Sequence, residues 1–146
     1  MPFRFSLEGV LSFRKNVEHA EELALNRILQ EIATTQQQLQ QLQTDHRLLR
    51  EQRDRDLARS QPAAYLAELT KKEQYIERAV ESTQAQLQEL DTKREAQLAV
   101  LRAAQQDREV LDEVRKRKYD TYQLEQNHRE QKTLDDLFLS RIKDGD

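Results

Sequence analysis

Apolar residues recur at intervals of three and four along almost the whole chain, a spacing that keeps them on one face of a long α-helix. In the first half, this apolar seam predicts one helix over about residues 3–58. Its predicted positions are Val10, Phe13, Val17, Ala20, Ala24, Ile28, Ile32, Thr35, Leu39, Leu42, His46 and Leu49.

The seam stops after Leu57 and is followed by Pro62. Proline suits the first position of a helix, so we predict a turn near residues 59–62 and a second helix over about residues 63–142. A second seam follows, and it becomes less regular toward the C-terminus. Its predicted positions are Leu66, Leu69, Glu73, Ile76, Val80, Thr83, Leu87, Leu90, Leu98, Leu101, Ala104, Leu111 and Val114.

Two helices with one apolar face each bury those faces by packing back to back. We therefore predict an all-α fold, a long two-helix antiparallel coiled-coil hairpin forming a single domain over residues 1–146, with the C-terminal helix longer than the N-terminal one. Composition agrees, because about half of the residues are Ala, Glu, Lys, Leu or Arg. With only two Gly and two Pro, the chain lacks the turn formers that a sheet protein needs.

The unequal helices predict an unpartnered C-terminal segment. Symmetric pairing about the turn places Phe3 opposite residue 118 or so, which leaves residues 119–142 without a partner in the chain. This segment is rich in large apolar side chains, and we expect another protein to cover them. They are Tyr119, Tyr122, Leu124, Leu134, Leu137, Phe138, Leu139 and Ile142.

Polar residues also fall on or beside the seams, where such groups lower stability while fixing the register of the helices. They are His46, Arg53, Glu73, Arg94, Gln97 and Arg108.

Charge argues against a nucleic-acid partner, because 24 Lys and Arg stand against 27 Asp and Glu, for a net charge of −3. The basic run Arg115-Lys116-Arg117-Lys118 is open to two interpretations, a solvated helix face or a contact patch, and nucleic-acid binding through it is a more remote third. The chain has no Cys, which is compatible with the cytoplasm. No apolar run approaches the roughly 18 residues of a spanning helix, so we expect no integral membrane segment.

The sequence lacks the arrangements of residues that catalysis or cofactor binding requires. Two glycines cannot build a phosphate-binding loop. His19, His46 and His128 lack the spacing of a zinc site, and adjacent carboxylates such as Asp135 and Asp136 point in different directions on a helix. We therefore expect no enzyme activity, no catalytic residues, no cofactor and no metal.

The two ends of the chain carry recognisable motifs. The segment Phe3-Arg4-Phe5-Ser6-Leu7-Glu8-Gly9-Val10-Leu11-Ser12-Phe13-Arg14 resembles the opening of the FliJ family, small proteins of the bacterial flagellar type III export apparatus. The segment Arg129-Glu130-Gln131-Lys132-Thr133-Leu134-Asp135-Asp136-Leu137, followed by Arg141, resembles the closing segment of that family.

This resemblance implies a function without catalysis. FliJ-like proteins are similar in shape to the central stalk of rotary ATP synthases. By resemblance, the end that carries both termini docks in the flagellar export ATPase hexamer and promotes its assembly and activity. Another part of the chain then contacts the cytoplasmic component of the export gate, and export chaperones are a further candidate partner. The expected location is cytoplasmic, peripheral at the membrane-associated export apparatus.

Candidate contacts to the ATPase ring come from both terminal motifs. For the apolar members, packing within the chain is an equal alternative. The polar candidates are Arg4, Arg14, Arg129, Gln131 and Arg141, and the apolar candidates are Phe3, Phe5, Leu134, Leu137 and Phe138.

Two other functions fit the same pattern. One is the equivalent stalk protein of a virulence type III secretion injectisome. The other is a generic coiled-coil scaffold or homodimer, which predicts a doubled molecular mass in solution.

Overall fold

The computed structural model describes residues 2–144, and over that range it contains two helices and no strand. Helix α1 spans Glu8–Leu57, with 50 residues, and helix α2 spans Ala63–Asp144, with 82 residues. They pack against each other as a helical hairpin, which confirms the predicted fold class and the longer second helix. The predicted domain range also includes residues 1, 145 and 146, which lie outside the described residues.

The start of α1 differs from the prediction, because the helix begins at Glu8 and not near residue 3. The backbone N–H of Glu8 donates to the carbonyl of Phe5 at 3.1 Å, so the chain turns just before the helix. Residues 2–5 have no helical structure. From this segment Phe3 and Phe5 both contact side chains of α2.

The linker between the helices covers residues 58–62 and agrees with the predicted turn. Pro62 lies immediately before α2, and its carbonyl accepts hydrogen bonds from the N–H groups of Tyr65 at 3.1 Å and Leu66 at 3.3 Å. The Tyr65 hydroxyl donates to Asp56 at 2.8 Å, joining the first turn of α2 to the last turn of α1. This hydrogen bond is the main cause that raises the pKa of Tyr65 above its ordinary value.

The seam predicted for the second helix is confirmed at every position, since each of those side chains is buried or half-buried. Contacts between the helices divide into two compact units. Unit 1 combines residues 2–20 with 102–144, and unit 2 consists of residues 21–101. Leu69, Leu90 and Leu101 belong to the core of unit 2, and Phe5, Leu11 and Ala104 to that of unit 1.

The seam predicted for α1 is wrong at its N-terminal end. Val10 and Phe13 are 44% and 60% exposed and the predicted seam position Ala20 is exposed as well, whereas Leu11, which the prediction passed over, is 1% exposed. Half-buried positions continue from Leu11 through Arg14 and Glu18, in steps of three and four. This set of buried positions could not be recognised from the pattern of apolar residues, because two of its members, Arg14 and Glu18, are charged. Both form ion pairs with residues of α2.

Polar side chains form hydrogen bonds between the helices in both units. Two of them, Gln97 and Arg108, were predicted from the sequence to lie on or beside the seam. In unit 1 the Arg108 guanidinium donates to Glu18 and to Asp112, and these hydrogen bonds raise the pKa of Arg108. In unit 2 the amide of Gln97 donates to the backbone carbonyl of Glu21 at 3.1 Å.

No helical stretch within residues 2–144 combines the length and apolar character that crossing a membrane requires.

Candidate partner-binding surfaces

The C-terminal part of α2 is the longest run of exposed helical residues within residues 2–144. Every residue from 127 to 144 is exposed, and we call this segment the tail. The prediction that residues 119–142 lack a partner is corrected at its start. Tyr119 and Tyr122 lie with their ring centroids 5.2 Å and 5.5 Å from that of Phe3.

The tail carries an apolar stripe formed by Leu134, Leu137, Phe138 and Ile142, whose exposed fractions are 62%, 57%, 65% and 52%. Their spacing of three and four residues places them along one side of the helix. Leu139 is 58% exposed and lies beside that stripe. An apolar stripe of this kind on a single helix suits a partner that offers a groove or a ring of apolar side chains.

The predicted polar contacts of the C-terminal motif are also exposed on the tail. Gln131 precedes Leu134 by three residues and Arg141 follows Leu137 by four, so both lie close to the apolar stripe. Arg129 is exposed as well. The structure therefore brings Leu134, Leu137, Phe138, Gln131 and Arg141 together on one helical surface.

The N-terminal aromatic residues have a different environment. Phe5 is 7% exposed, and the Phe3 ring meets Tyr119 edge to face with an interplanar angle of 77°. We call Phe3, Phe5 and the α2 side chains that hold them the N-terminal clasp; on α2 it contains Arg115, Lys118, Tyr119 and Tyr122. Packing within the chain, the alternative considered for the apolar candidates, describes Phe3 and Phe5 in this structure.

The basic run contributes directly to the clasp. Arg115 donates to Glu8 at 3.0 Å, and its guanidinium lies 5.6 Å from the centre of the Phe3 ring. The ammonium of Lys118 lies 5.8 Å from the centre of the Phe5 ring. Cations at such distances are attracted to aromatic faces. The run therefore contacts its own chain.

Of the N-terminal polar candidates, Arg4 is exposed and Arg14 contacts Asp107 at 3.3 Å. Unit 1 carries an exposed apolar strip that was not predicted from the sequence, formed by Leu7 just before α1 and by Val10 and Phe13 of α1. The three residues follow one another at intervals of three, but the prediction placed Val10 and Phe13 in the seam and left Leu7 unassigned.

A second exposed apolar surface lies in unit 2, near the turn. Leu48 and Leu49 of α1 and Tyr75 and Ile76 of α2 line an open groove of about 580 Å³. Tyr75 is 74% exposed and Leu48 is 50% exposed. The groove was not predicted from the sequence, because its lining combines the seam positions Leu49 and Ile76 with residues beside the seam on two different helices.

Unit 2 also brings a histidine against two carboxylates. Nε2 of His46 lies 3.3 Å from Oε1 of Glu77 and 3.7 Å from Oε1 of Glu73. The spacing of the histidines along the sequence did not predict this cluster. Because the two glutamates belong to the other helix, the cluster exists only after the hairpin has formed.

The family model described as Flagellar FliJ protein matches residues 3–144. The chain belongs to the FliJ family. The match covers both terminal motifs and both helices, which confirms the resemblance found in the sequence. Membership of the FliJ family implies a component of the flagellar export apparatus. Comparison with curated proteins finds no match, and comparison with solved structures finds none either.

The two terminal motifs of this FliJ family member have different structural roles. The N-terminal motif supplies Phe5 and Leu11 to the core of unit 1. The C-terminal motif lies on the exposed tail, where its apolar side chains have no cover from the described residues.

Proposed function

We propose that this chain is the non-catalytic central-stalk component of the flagellar export apparatus and that its tail docks in the export ATPase ring. The observation that carries the proposal is the apolar stripe Leu134, Leu137, Phe138 and Ile142, which is exposed on a helix whose earlier part is packed. Family membership supports a role in the flagellar export apparatus. The exposed tail offers the surface that would dock in the ATPase ring. The site of action is cytoplasmic, at the membrane-associated export apparatus.

The energetics favour docking of the whole stripe. Complete burial of a large apolar side chain contributes about 1.5–3 kcal/mol. Association itself costs on the order of 4–15 kcal/mol in lost freedom of motion. Burial of one or two side chains therefore gives too little free energy to offset the cost of association. Burial of the full stripe, together with polar contacts from Gln131 and Arg141, gives a free energy of the required size.

The stripe also supports an asymmetric role inside a ring. A single helix presents its apolar side to some subunits and its polar side to others, so identical subunits meet different surfaces. Each nucleotide state of the ring then favours the orientation of the stalk that it binds best. The chain acts by binding, and no covalent step involves its residues.

The groove beside the turn is our proposed contact for the cytoplasmic component of the export gate. It contains the exposed apolar side chains Leu48 and Tyr75, and it belongs to unit 2, so it shares no residue with the tail. Lys71 and Lys72 line the same groove and provide positive charge beside the apolar surface.

Ring assembly and ATP hydrolysis by the purified flagellar export ATPase test the proposal. The intact chain should promote both, whereas a variant lacking residues 127–144 should lose at least about tenfold in apparent affinity, because the stripe is gone. Val110 is 61% exposed but lies outside the tail, so Val110→Ser is the matched control and should behave like the intact chain. Equal stimulation by the tail deletion and the intact chain would contradict the proposal.

The alternatives give different results in the same assays. An injectisome stalk stimulates an injectisome ATPase and leaves the flagellar enzyme unaffected. A homodimeric scaffold shows a doubled mass by light scattering, and removal of the tail does not alter the ATPase.

A further inference from the structure

Three potential metal-ligand atoms converge between the helices of unit 2. They come from His46 on α1 and from Glu73 and Glu77 on α2, and all three lie within 4.8 Å of one another. Nε2 of His46 is 3.3 Å from Oε1 of Glu77 and 3.7 Å from Oε1 of Glu73. Two donors bound to one tetrahedral zinc ion at about 2.0–2.1 Å stand roughly 3.3 Å apart, so the observed spacing suits such an ion.

Glu73 is held in a ligand-like orientation. It is 8% exposed, and its Oε2 atom accepts a hydrogen bond from Arg53, which leaves Oε1 directed toward His46. Carboxylates that bind metals are commonly oriented by an outer hydrogen bond of this kind. Glu77 follows one helical turn later on the same side of α2. A buried, oriented carboxylate and an imidazole distinguish this cluster from a group of surface acids.

Space for further ligands lies beside the cluster. His46 and Glu77 line a cavity of about 290 Å³, together with Gln43, Val80 and Glu81. A cavity of this size holds water, which is a common fourth ligand of zinc. Glu81 provides an additional carboxylate at the same cavity.

The neighbouring charges limit the affinity. From α1, Arg53 contacts Glu73 and the Nε atom of Arg50 lies 3.8 Å from its Oε1 atom. These guanidiniums repel a cation, but the Arg50 side chain is 59% exposed and can turn into solvent. A mixed imidazole and carboxylate set suits Zn²⁺ better than Mg²⁺ or Ca²⁺, which prefer oxygen ligands.

We propose that His46, Glu73 and Glu77 bind a zinc-class divalent cation that links α1 to α2. Because two of the ligands meet the third only in the folded hairpin, the ion binds the folded state and stabilises it.

Titration of the full, chelator-treated chain with Co²⁺ and Zn²⁺ tests this site. Co²⁺ should give a saturable visible absorption spectrum that Zn²⁺ displaces, and Zn²⁺ should raise the thermal midpoint while Mg²⁺ does not. His46→Ala and Glu77→Gln should each weaken binding at least about tenfold. His128→Ala is the matched control, because it removes a histidine from the exposed tail, and it should bind like the unchanged chain.

Arg50→Ala distinguishes a metal site from a cluster that serves only as an ion pair between the helices. Loss of this positive charge should tighten binding of the ion several-fold, at about constant helix content. Glu77 is exposed, so Glu77→Gln remains informative if His46→Ala fails to fold. The proposal is overturned by an absence of saturable binding, by unchanged binding in both Glu77→Gln and His46→Ala, or by weaker binding in Arg50→Ala.

Discussion

Phe3 packs edge to face against Tyr119 with their ring centroids 5.2 Å apart, although the two residues are distant in sequence and belong to different segments of the hairpin. The contact is close to the pairing expected from simple symmetry about the turn, which placed Phe3 opposite residue 118 or so. It also shows that the N-terminal segment covers α2 as far as Tyr122. The exposed tail begins a few residues later.

Phe5→Ala should destabilise unit 1 by about 3 kcal/mol, because it removes a buried aromatic side chain and leaves a cavity. Hydrogen exchange of the amides in residues 8–20 and 102–122 measures this change. The control is Phe13→Ala, at a position that is 60% exposed. Its effect should stay within about 0.5 kcal/mol. An effect of Phe5→Ala as small as the one expected for Phe13→Ala would show that burial of Phe5 in the clasp does not stabilise unit 1.

Glu73→Ala should lower the free energy of unfolding by about 2 kcal/mol, because it leaves the half-buried Arg53 guanidinium without its carboxylate between the helices. Urea unfolding followed by circular dichroism measures the loss. Glu51→Ala is the control, since its pair with Arg47 spans 4.0 Å between side chains that are 58% and 69% exposed. That substitution should change stability by less than about 0.5 kcal/mol. A comparable loss in both variants argues against a special role of the half-buried pair between Arg53 and Glu73.

Stability should fall at alkaline pH in a way that depends on Tyr65. Its hydrogen bond to Asp56 raises the pKa of the folded-state phenol above the ordinary value of 10.0, so above that pH the folded chain holds the proton more tightly than the unfolded chain does. The contribution is complete below pH 10 and is lost as pH rises through the folded-state pKa. Thermal unfolding between neutral and alkaline pH measures it.

Tyr65→Phe removes the titrating hydroxyl and should flatten this part of the pH profile. Tyr75→Phe is the control, because Tyr75 is 74% exposed and the substitution should leave the profile unchanged. An unchanged profile in Tyr65→Phe contradicts the assignment.

Leu134→Ser combined with Phe138→Ser should abolish stimulation of the export ATPase without altering the thermal midpoint of the isolated chain. Both side chains are more than half exposed, so their replacement costs little in the free protein but removes apolar area from the docked state. If the thermal midpoint of the double variant falls along with its stimulation of the ATPase, the tail packs on its own chain in solution.

Leu48→Ser combined with Tyr75→Ser should weaken binding to the cytoplasmic component of the export gate at least about tenfold while preserving ATPase stimulation. Isothermal titration calorimetry with that purified component measures the affinity. Leu23→Ser is the control, because Leu23 is 45% exposed in the same unit but does not line the groove. Loss of ATPase stimulation in the groove variant would mean that the two surfaces do not act separately.

The helices, the turn and the α2 seam followed directly from the sequence, because three-and-four spacing and a proline are local properties of the chain. The frame of α1 near Leu11 did not, because it places Arg14 and Glu18 at half-buried positions. A charged residue is stable at a half-buried position between the helices only when an oppositely charged residue of the other helix lies next to it. Those partners, Asp107 and Arg108, are distant in sequence.

The same distinction applies to the functional surfaces. Periodicity was sufficient to predict the unequal helices and the apolar tail, and the two terminal motifs carried the resemblance to the family, since each of these depends on residues that are close in sequence. Pairing across the hairpin determined the rest: Phe3 and Phe5 became part of the clasp, Leu48 and Tyr75 formed one groove, and His46 met Glu73 and Glu77. Such contacts depend on which turns of α1 and α2 lie side by side, and that register is a property of the folded pair and not of either helix alone.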